Sequence, residues 1–427
     1  MKQQHALQGL RERLGPAGFT DDANDLAPWL TDWRGWRTGR AVAMASPASL
    51  EEARFVVRAC AAERIPIVPQ GGNTSMVAGA TPEADGDAII LSLRRMRRIR
   101  SVSIEDNVLV AEAGVVLAQV HDAAAAAGRL FPLSLGAKGS ATVGGLVSTN
   151  AGGVQVLRYG AMRALTLGVE AVLPDGTVHH GLKALRKDNR GYDLKHLLIG
   201  AEGTLGVVTA ATLALVPRPV ERAVAWVGLA RLDTALLLLR RLEAATGGQI
   251  SSFEIVPQAG LDLVTHHVAA ARAPLAGRHQ WHVLIEADTS RPGDPLADAM
   301  RDSLGAAVES GEVADAVIAG SEAQAEALWL LRESLPEAER REGGAAKHDI
   351  AVPVADMPAF IIQTAPAVES AFPGARVLAF GHLGDGNVHF NVRAPEGADG
   401  EAWLRQNSGA INRFVDDAVV AMGGTIS

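Results

Sequence analysis

Between Phe131 and Gly160 the chain reads FPLSLGAKGSATVGGLVSTNAGGVQVLRYG, with seven glycines among short apolar pieces and scattered Ser, Thr and Asn. Such a stretch presents backbone rather than side chains. Without a Cβ at Gly144-Gly145 and Gly152-Gly153, main-chain N–H groups can approach a flat or phosphorylated ligand, and amides in loops of this kind cradle phosphates. One Gly pair alone reads as a tight turn. Two further Gly-rich stretches, Pro69–Ser75 and Glu202–Gly206, shift the reading towards a large, extended cofactor.

A chain of 427 residues is too long for one ordinary domain and long enough for two or three cores. Its net charge of −8 argues against a nucleic-acid or anionic-membrane binder, which needs a basic surface to displace counterions. The single cysteine, Cys60, excludes an intrachain disulfide and Cys-based zinc or iron–sulfur sites. The expected setting is cytoplasmic, with peripheral contact at the inner membrane left open. The N-terminus has no apolar signal core, and the longest aliphatic run, Ala235–Leu239, is far too short to cross a bilayer.

In chain order, a short polar N-terminal helix precedes a cluster of Trp29, Trp33 and Trp36, expected to anchor the N-terminal arm. Ser49 with Glu52 forms a capping box for a helix that buries Cys60. The helix leads to a short strand ending in PQGGNTS (69–75), a second candidate for phosphate cradling. This loop has neither the G-x-G-x-x-G of a Rossmann turn nor the Gly-Lys-Ser/Thr of a P-loop. AIILSL (88–93) and NVLVAEAG (107–114) read as strands, Leu117–Ala127 as a helix, and Asp175-Gly176 as a hairpin turn. EGTLG (202–206) then runs into a β-branched strand.

Four motifs, VPQGGNTS (68–75), LGAKGSATVGGLVSTNAGGVQVLRYG (135–160), LRKDNRGYDLKHLLIG (185–200) and EGTLGVVT (202–209), closely resemble the FAD-binding domain of the vanillyl-alcohol oxidase/p-cresol methylhydroxylase superfamily, most of all its D-2-hydroxyglutarate-oxidising branch. The resemblance implies an α+β fold: a two-subdomain FAD-binding domain of the p-cresol methylhydroxylase type, plus a substrate or cap domain with an antiparallel sheet flanked by helices. The expected divisions are an N-terminal arm (1–36), the FAD-binding domain (37–217), the substrate domain (218–400) and the start of a C-terminal segment (401–427). The implied FAD contacts are Pro69, Gln70, Gly71, Gly72, Asn73, Thr74 and Ser75 in the pyrophosphate loop. The central stretch adds Leu135, Gly136, Ser140, Gly144, Gly145, Asn150, Gly152, Tyr159 and Gly160, and the third loop Glu202, Gly203, Gly206 and Val207. Ser75 stands where the family usually has Gly. A valine at Gly72 is expected to occupy the space of the phosphate and abolish FAD binding.

Beyond the Pro217–Pro219 linker, AVAWVGLA, ISSFEIV and WHVLIEAD alternate with helices, suggesting an antiparallel sheet with helices on one face. His266 and His267 read as surface or packing residues. A capping box at Ser321 and Gln324 opens a helix expected to stop at Pro336, with Arg332 in its last turn. From the residues alone, Arg332 is a helix-dipole or salt-bridge arginine and Lys347 a solvent-exposed strand residue sharing a face with Asp349. The hairpin VLAFGHLGDGNVHFNV (377–392), if centred between Asp385 and Gly386, sets His382 opposite His389 with Asn391 on the same side. Two imidazoles with oxygen-bearing neighbours fit either a divalent zinc or manganese ion or a satisfied polar pair.

The resemblance implies more specific roles. Arg332 and Lys347 match the family's substrate-carboxylate binders, His382 and His389 its metal ligands, and Asn391 its substrate-contacting Asn. Pro336 replaces a Thr usual beside the substrate. The implied reaction is metal-assisted hydride transfer from a D-2-hydroxy acid to N5 of non-covalent FAD, with D-2-hydroxyglutarate favoured and D-lactate or glycolate as alternatives. A flavin-binding subunit that has lost catalysis is the reading from a different class. The expected electron acceptor is an electron-transfer flavoprotein or the quinone pool, and the expected assembly a homodimer. In the family, a sequence like Gly423–Ser427 is followed by Glu-His-Gly, supplying a third metal ligand and a base. The resemblance therefore leads to the expectation that this chain holds FAD but is metal-poor and nearly inactive, the natural product being longer.

Overall fold

The structure, a computed structural model, describes residues 2–426, so the expectation attached to Ser427 lies outside the described residues. The chain divides into two compact units, Met1–Gly153 with Tyr159–Arg218, and Val154–Arg158 with Pro219–Ser427. The N-terminal helix and the last long helix, set apart from the sequence as an arm and a C-terminal segment, are built into the first and second units respectively.

In the first unit, Ser49 Oγ accepts the Glu52 N–H at 3.2 Å, and Glu52 in turn accepts the Ala48 N–H at 2.7 Å, starting the helix Leu50–Glu63. Its inner face buries Ala53, Val56, Val57 and Cys60 against Leu10 of helix Lys2–Leu14 and against Ile89 and Leu91. Burial pushes the Cys60 thiol up to about 12, so it packs as a small hydrophobe. Below this helix the strand Ile67–Gln70 pairs in parallel with Ile89–Ser92, which also pairs in parallel with Ala43–Ala45. Of the three tryptophans expected as anchors, only Trp29 packs inward, while Trp33 and Trp36 are exposed. A second, antiparallel sheet has the order Ile99–Ser103, Val108–Glu112, Val207–Ala214, Thr166–Val172, Val178–Gly181. Its last two strands form the hairpin expected at Asp175-Gly176, where Gly176 takes φ +79° and Asp175 accepts the Thr177 N–H.

The second unit is organised on one antiparallel sheet of eight strands among the described residues. Their order is Asp315–Ile318, Glu221–Leu229, Trp281–Thr289, Ile250–Pro257, Arg376–His382, Asn387–Arg393, Ala345–Ala351, Thr425–Ile426. Helices cover both faces, not one. Ala223, Ala225 and Val227 pack with helices Thr234–Ala245, Leu296–Glu309, Met357–Ala371 and Gly400–Ala421, while Val224, Trp226 and Val256 pack with Gln258–His267, Glu322–Glu333 and Leu335–Arg341. Strands buried on both faces are apolar at successive positions, as AVAWVGL is, and the missing alternation was the signal for a second layer.

Pro336 does not simply end a helix. Glu322–Glu333 stops at Ser334, and a new helix, Leu335–Arg341, begins with Pro336 in its first turn, where the absent N–H costs nothing. The hairpin is centred one position earlier than expected: His382 pairs with Asn387, and Phe380 with His389. The turn spans Leu383–Gly386, closed by the Gly386 N–H on the His382 carbonyl at 3.1 Å and by φ +79° at Gly386. His389 is thus diagonal to His382 rather than opposite. Because the side-chain repeat along a strand is two, both still project from the same face.

Candidate active site

In the first unit, the glycine loops expected to bind cofactor meet one another. A Cβ on Gly71 would stand 2.3 Å from Thr142 Oγ1, one on Gly72 would stand 2.0 Å from the Ser140 carbonyl, and one on Gly203 would stand 2.7 Å from Pro69. The Glu202 N–H donates to the Ser148 carbonyl at 2.9 Å, joining the third loop to the central stretch. Asn73, Asn150 and Glu202 all adopt positive φ, and so do Gly160 and Gly203. Asn73 donates to the Thr31 carbonyl, and Asn150 accepts the Arg163 N–H, so both amides fasten the loops. The valine expectation at Gly72 gains a second reason: its Cβ would already strike the Ser140 backbone at 2.0 Å. Gly136 has nothing within 4 Å of a built Cβ, and Gly145 has only Thr142 Oγ1 at 3.6 Å, so these two remain open. Gly144, against Ala113, is closed by packing. Leu135 and Tyr159 lie half-buried against the core, Val207 is buried in it, and Gly206 packs beside Leu198. Ser140 and Gly152 are exposed, while Thr74 and Ser75 are half-buried. Gln70 Oε1 and Thr142 Oγ1 are buried without a hydrogen-bond partner among the described residues, although the Gln70 amide donates to Trp29 and Ala80. Unpaired buried acceptors are costly, and these two lie in a wall of open and tightly packed glycines, which suits a polar, flat ligand such as FAD.

In the second unit, five residues read from sequence come to one sheet face. The strand registers place Lys347 against Asn391 and Asp349 against His389. His382 and His389 have ring centroids 5.5 Å apart. His382 Nδ1 donates to Glu254 Oε1 at 2.6 Å, and His389 Nδ1 faces Asp349 Oδ1 at 3.5 Å. Each imidazole is therefore oriented through Nδ1 by a carboxylate, the arrangement that leaves Nε2 for a metal. Arg332, almost fully buried, donates its Nε to Glu254 Oε2 at 2.9 Å and lies 5.0 Å over the Phe380 ring, which is itself 5.1 Å from His389. Among the described residues its Nη groups make no hydrogen bond, so the guanidinium fork remains available. Lys347 Nζ and Asn391 Nδ2 both reach Glu339 Oε2, at 3.0 and 2.8 Å. Glu339 is fully buried, and its other oxygen has no partner among the described residues.

Burial alone would raise the Glu254 pKa, but the neighbouring His382 and Arg332 outweigh it and hold the carboxyl below its ordinary value. Burial lowers that of His389, favouring the neutral ring a metal requires. Asp349, against the pull of burial, is held down to about 2 by His389 and Asn387. Asp385 in the turn is raised by burial. Glu254 and Glu339 were not singled out from sequence. The available signal was a lone Glu inside the otherwise apolar ISSFEIV, since an unpaired charge there would be prohibitively expensive. His266 and His267, expected from sequence to be surface or packing residues, form a separate donor group with Glu342, whose carboxylate accepts from His267 Nε2 at 2.7 Å and from Arg393 at 3.2 Å.

A wall of glycine backbone with unpaired acceptors in one unit, and a face of cations, carboxylates and imidazoles in the other, define the class of a flavin-dependent oxidoreductase. Residues 41–181 match the FAD binding domain family and residues 218–427 the C-terminal domain of FAD linked oxidases. The chain belongs to the FAD-linked oxidases. It is 37% identical over 417 residues to the mitochondrial D-2-hydroxyglutarate dehydrogenase of Bos taurus, covering 97% of this chain and 74% of that one. It is 35% identical to the D-2-hydroxyglutarate dehydrogenase of Xanthomonas citri, covering 99% and 86%. A D-2-hydroxyglutarate–pyruvate transhydrogenase of Saccharomyces cerevisiae is 30% identical, over 94% and 81%. In fold, p-cresol methylhydroxylase with substrate bound superposes with a TM-score of 0.76 at 16% identity, covering all of this chain and 88% of that one.

Proposed function

We propose that the protein is an FAD-dependent dehydrogenase that oxidises a D-2-hydroxy acid, with D-2-hydroxyglutarate as the favoured substrate. The observation carrying this reading is the single face that gathers Arg332, Lys347, His382, His389 and Asn391 from one helix and three strands. Arg332 grips the substrate carboxylate through its Nη fork, Lys347 adds a point charge, and Asn391, held by Glu339, contacts the substrate. His382 and His389 hold a divalent cation, zinc or manganese, through Nε2. Charge supports this assignment: Glu254 and Glu339, both fully buried, take Arg332 and Lys347 respectively as ion-pair partners, so a divalent cation on the same face would favour an anionic acid there. Bound FAD would supply the hydride acceptor, and the cation would lower the pKa of the α-hydroxyl. The sequence-derived FAD contacts remain the proposed set, with Gln70, Gly136 and Gly145 facing the ligand and Gly71, Gly72, Gly144 and Gly203 shaping its loops, and the unpaired Thr142 hydroxyl is added to it from the structure. An electron-transfer flavoprotein or quinone is the proposed acceptor, and a homodimer the proposed assembly. No helix among the described residues is long and apolar enough to cross a membrane.

The test is anaerobic titration of the purified flavoprotein with D-2-hydroxyglutarate, D-lactate and glycolate. Bleaching of the flavin by D-2-hydroxyglutarate at the lowest concentration supports the reading. Preference for a monocarboxylate moves the substrate, and failure of every acid to bleach a fully loaded flavin sinks the dehydrogenase assignment.

A further inference from the structure

Glu254 is directly opposite His382 in the sheet register and wholly buried. Its two oxygens are divided between two donors, Oε1 taking His382 Nδ1 and Oε2 taking Arg332 Nε. Resting on the reading of His382 as a metal ligand and Arg332 as a carboxylate binder, we infer that Glu254 is the positioning residue that sets both. It keeps the His382 proton on Nδ1, leaving the Nε2 lone pair for a divalent cation, and it locks Arg332 through Nε, leaving both Nη groups for the acid. Asp349, partly exposed, faces Nδ1 of His389 at 3.5 Å and accepts from the Asn387 amide at 2.7 Å. Glu254 joins the metal position to the anion position.

The chemistry requires a carboxylate. Both partners present N–H groups, and only a group that accepts on both sides satisfies them. A glutamine of the same shape offers one oxygen and one amide. With the amide towards His382 it donates to Nδ1, driving the ring proton to Nε2 and closing the metal position. Turned over, it sets the amide against the Arg332 N–H, leaving two donors in contact.

Zinc affinity of the purified flavoprotein, measured by competition with a chromophoric chelator, tests this for wild type, Glu254→Gln and His382→Ala, with flavin absorbance as the check on folding. Glu254→Gln is expected to retain flavin, weaken zinc roughly 10–100-fold and raise KM for the hydroxy acid. Unchanged zinc affinity in Glu254→Gln, with His382→Ala impaired, overturns the inference while leaving the metal site standing. Unchanged affinity in His382→Ala instead removes the metal reading on which it rests, and the inference with it. If Glu254→Gln does not accumulate as a folded flavoprotein, ¹⁵N NMR of histidine-labelled wild type decides. A His382 proton on Nδ1 supports the inference, and one on Nε2 overturns it.

Discussion

The two units build their binding surfaces from opposite materials. The first uses backbone: Gly71, Gly72 and Gly203 pack so closely against neighbouring loops that any side chain would meet an atom within 2.7 Å. The second uses side chains: two cations, three carboxylates and two imidazoles spread over four strands and two helices. A backbone site fails all at once when a Cβ is added, whereas a side-chain site loses one interaction at a time.

The largest effect should come from Gly72→Val, whose Cβ would meet the Ser140 carbonyl at 2.0 Å. Loss of bound flavin, together with a lowered melting temperature, is the expected result. Gly136→Ala, in open space, should leave the melting temperature of the flavin-free protein unchanged and affect only flavin affinity. Equal melting temperatures for Gly72→Val and wild type would break the contrast.

Arg332→Ala should keep its flavin but leave Glu254 buried with one partner fewer, destabilising the protein by roughly 3–5 kcal/mol. Its kcat/KM should fall by about 2–4 kcal/mol of transition-state binding, read by steady-state kinetics. Intact kinetics would return Arg332 to a structural role.

His282 tests the second unit away from the site. Its Nδ1 accepts from Trp226 Nε1 at 3.0 Å and its Nε2 faces Gln258 Oε1 at 3.0 Å, so a second proton has no acceptor. Burial, aided by His279, lowers its pKa to about 4. Since the unfolded ring titrates near 6.5, the unfolded state binds more protons between these values. Stability should be complete above about pH 6.5 and decline by about 3 kcal/mol as pH falls towards 4. Denaturant unfolding at pH 7 and pH 4.5 should show this decline, and it should be shallower in His282→Asn.

Ser321→Ala gives the smallest change. Losing the cap on the Gln324 N–H should cost about 1 kcal/mol by denaturant unfolding, with a slight rise in KM because that helix carries Arg332. A KM rise as large as that of Arg332→Ala would show the arginine to depend on its helix rather than on Glu254.

The same contrast explains what could be read from the chain. Sequence alone determined the glycine loops, the helix caps at Ser49 and Ser321, and the shared face of His382 and His389, because each depends on residues close in sequence or on a repeat of two along a strand. Even there the hairpin centre was misplaced by one position, since a turn of four residues, Leu383–Gly386, cannot be told from a shorter one by its glycines. Tertiary structure decided the second helical layer and the Ser140 backbone over Gly72. It also decided the partners of the charged groups: Glu254 lies 78 positions from Arg332 and 128 from His382. Such pairs carry no local signature, because what brings them together is the burial of both faces of a sheet and the cost of leaving any charge there alone.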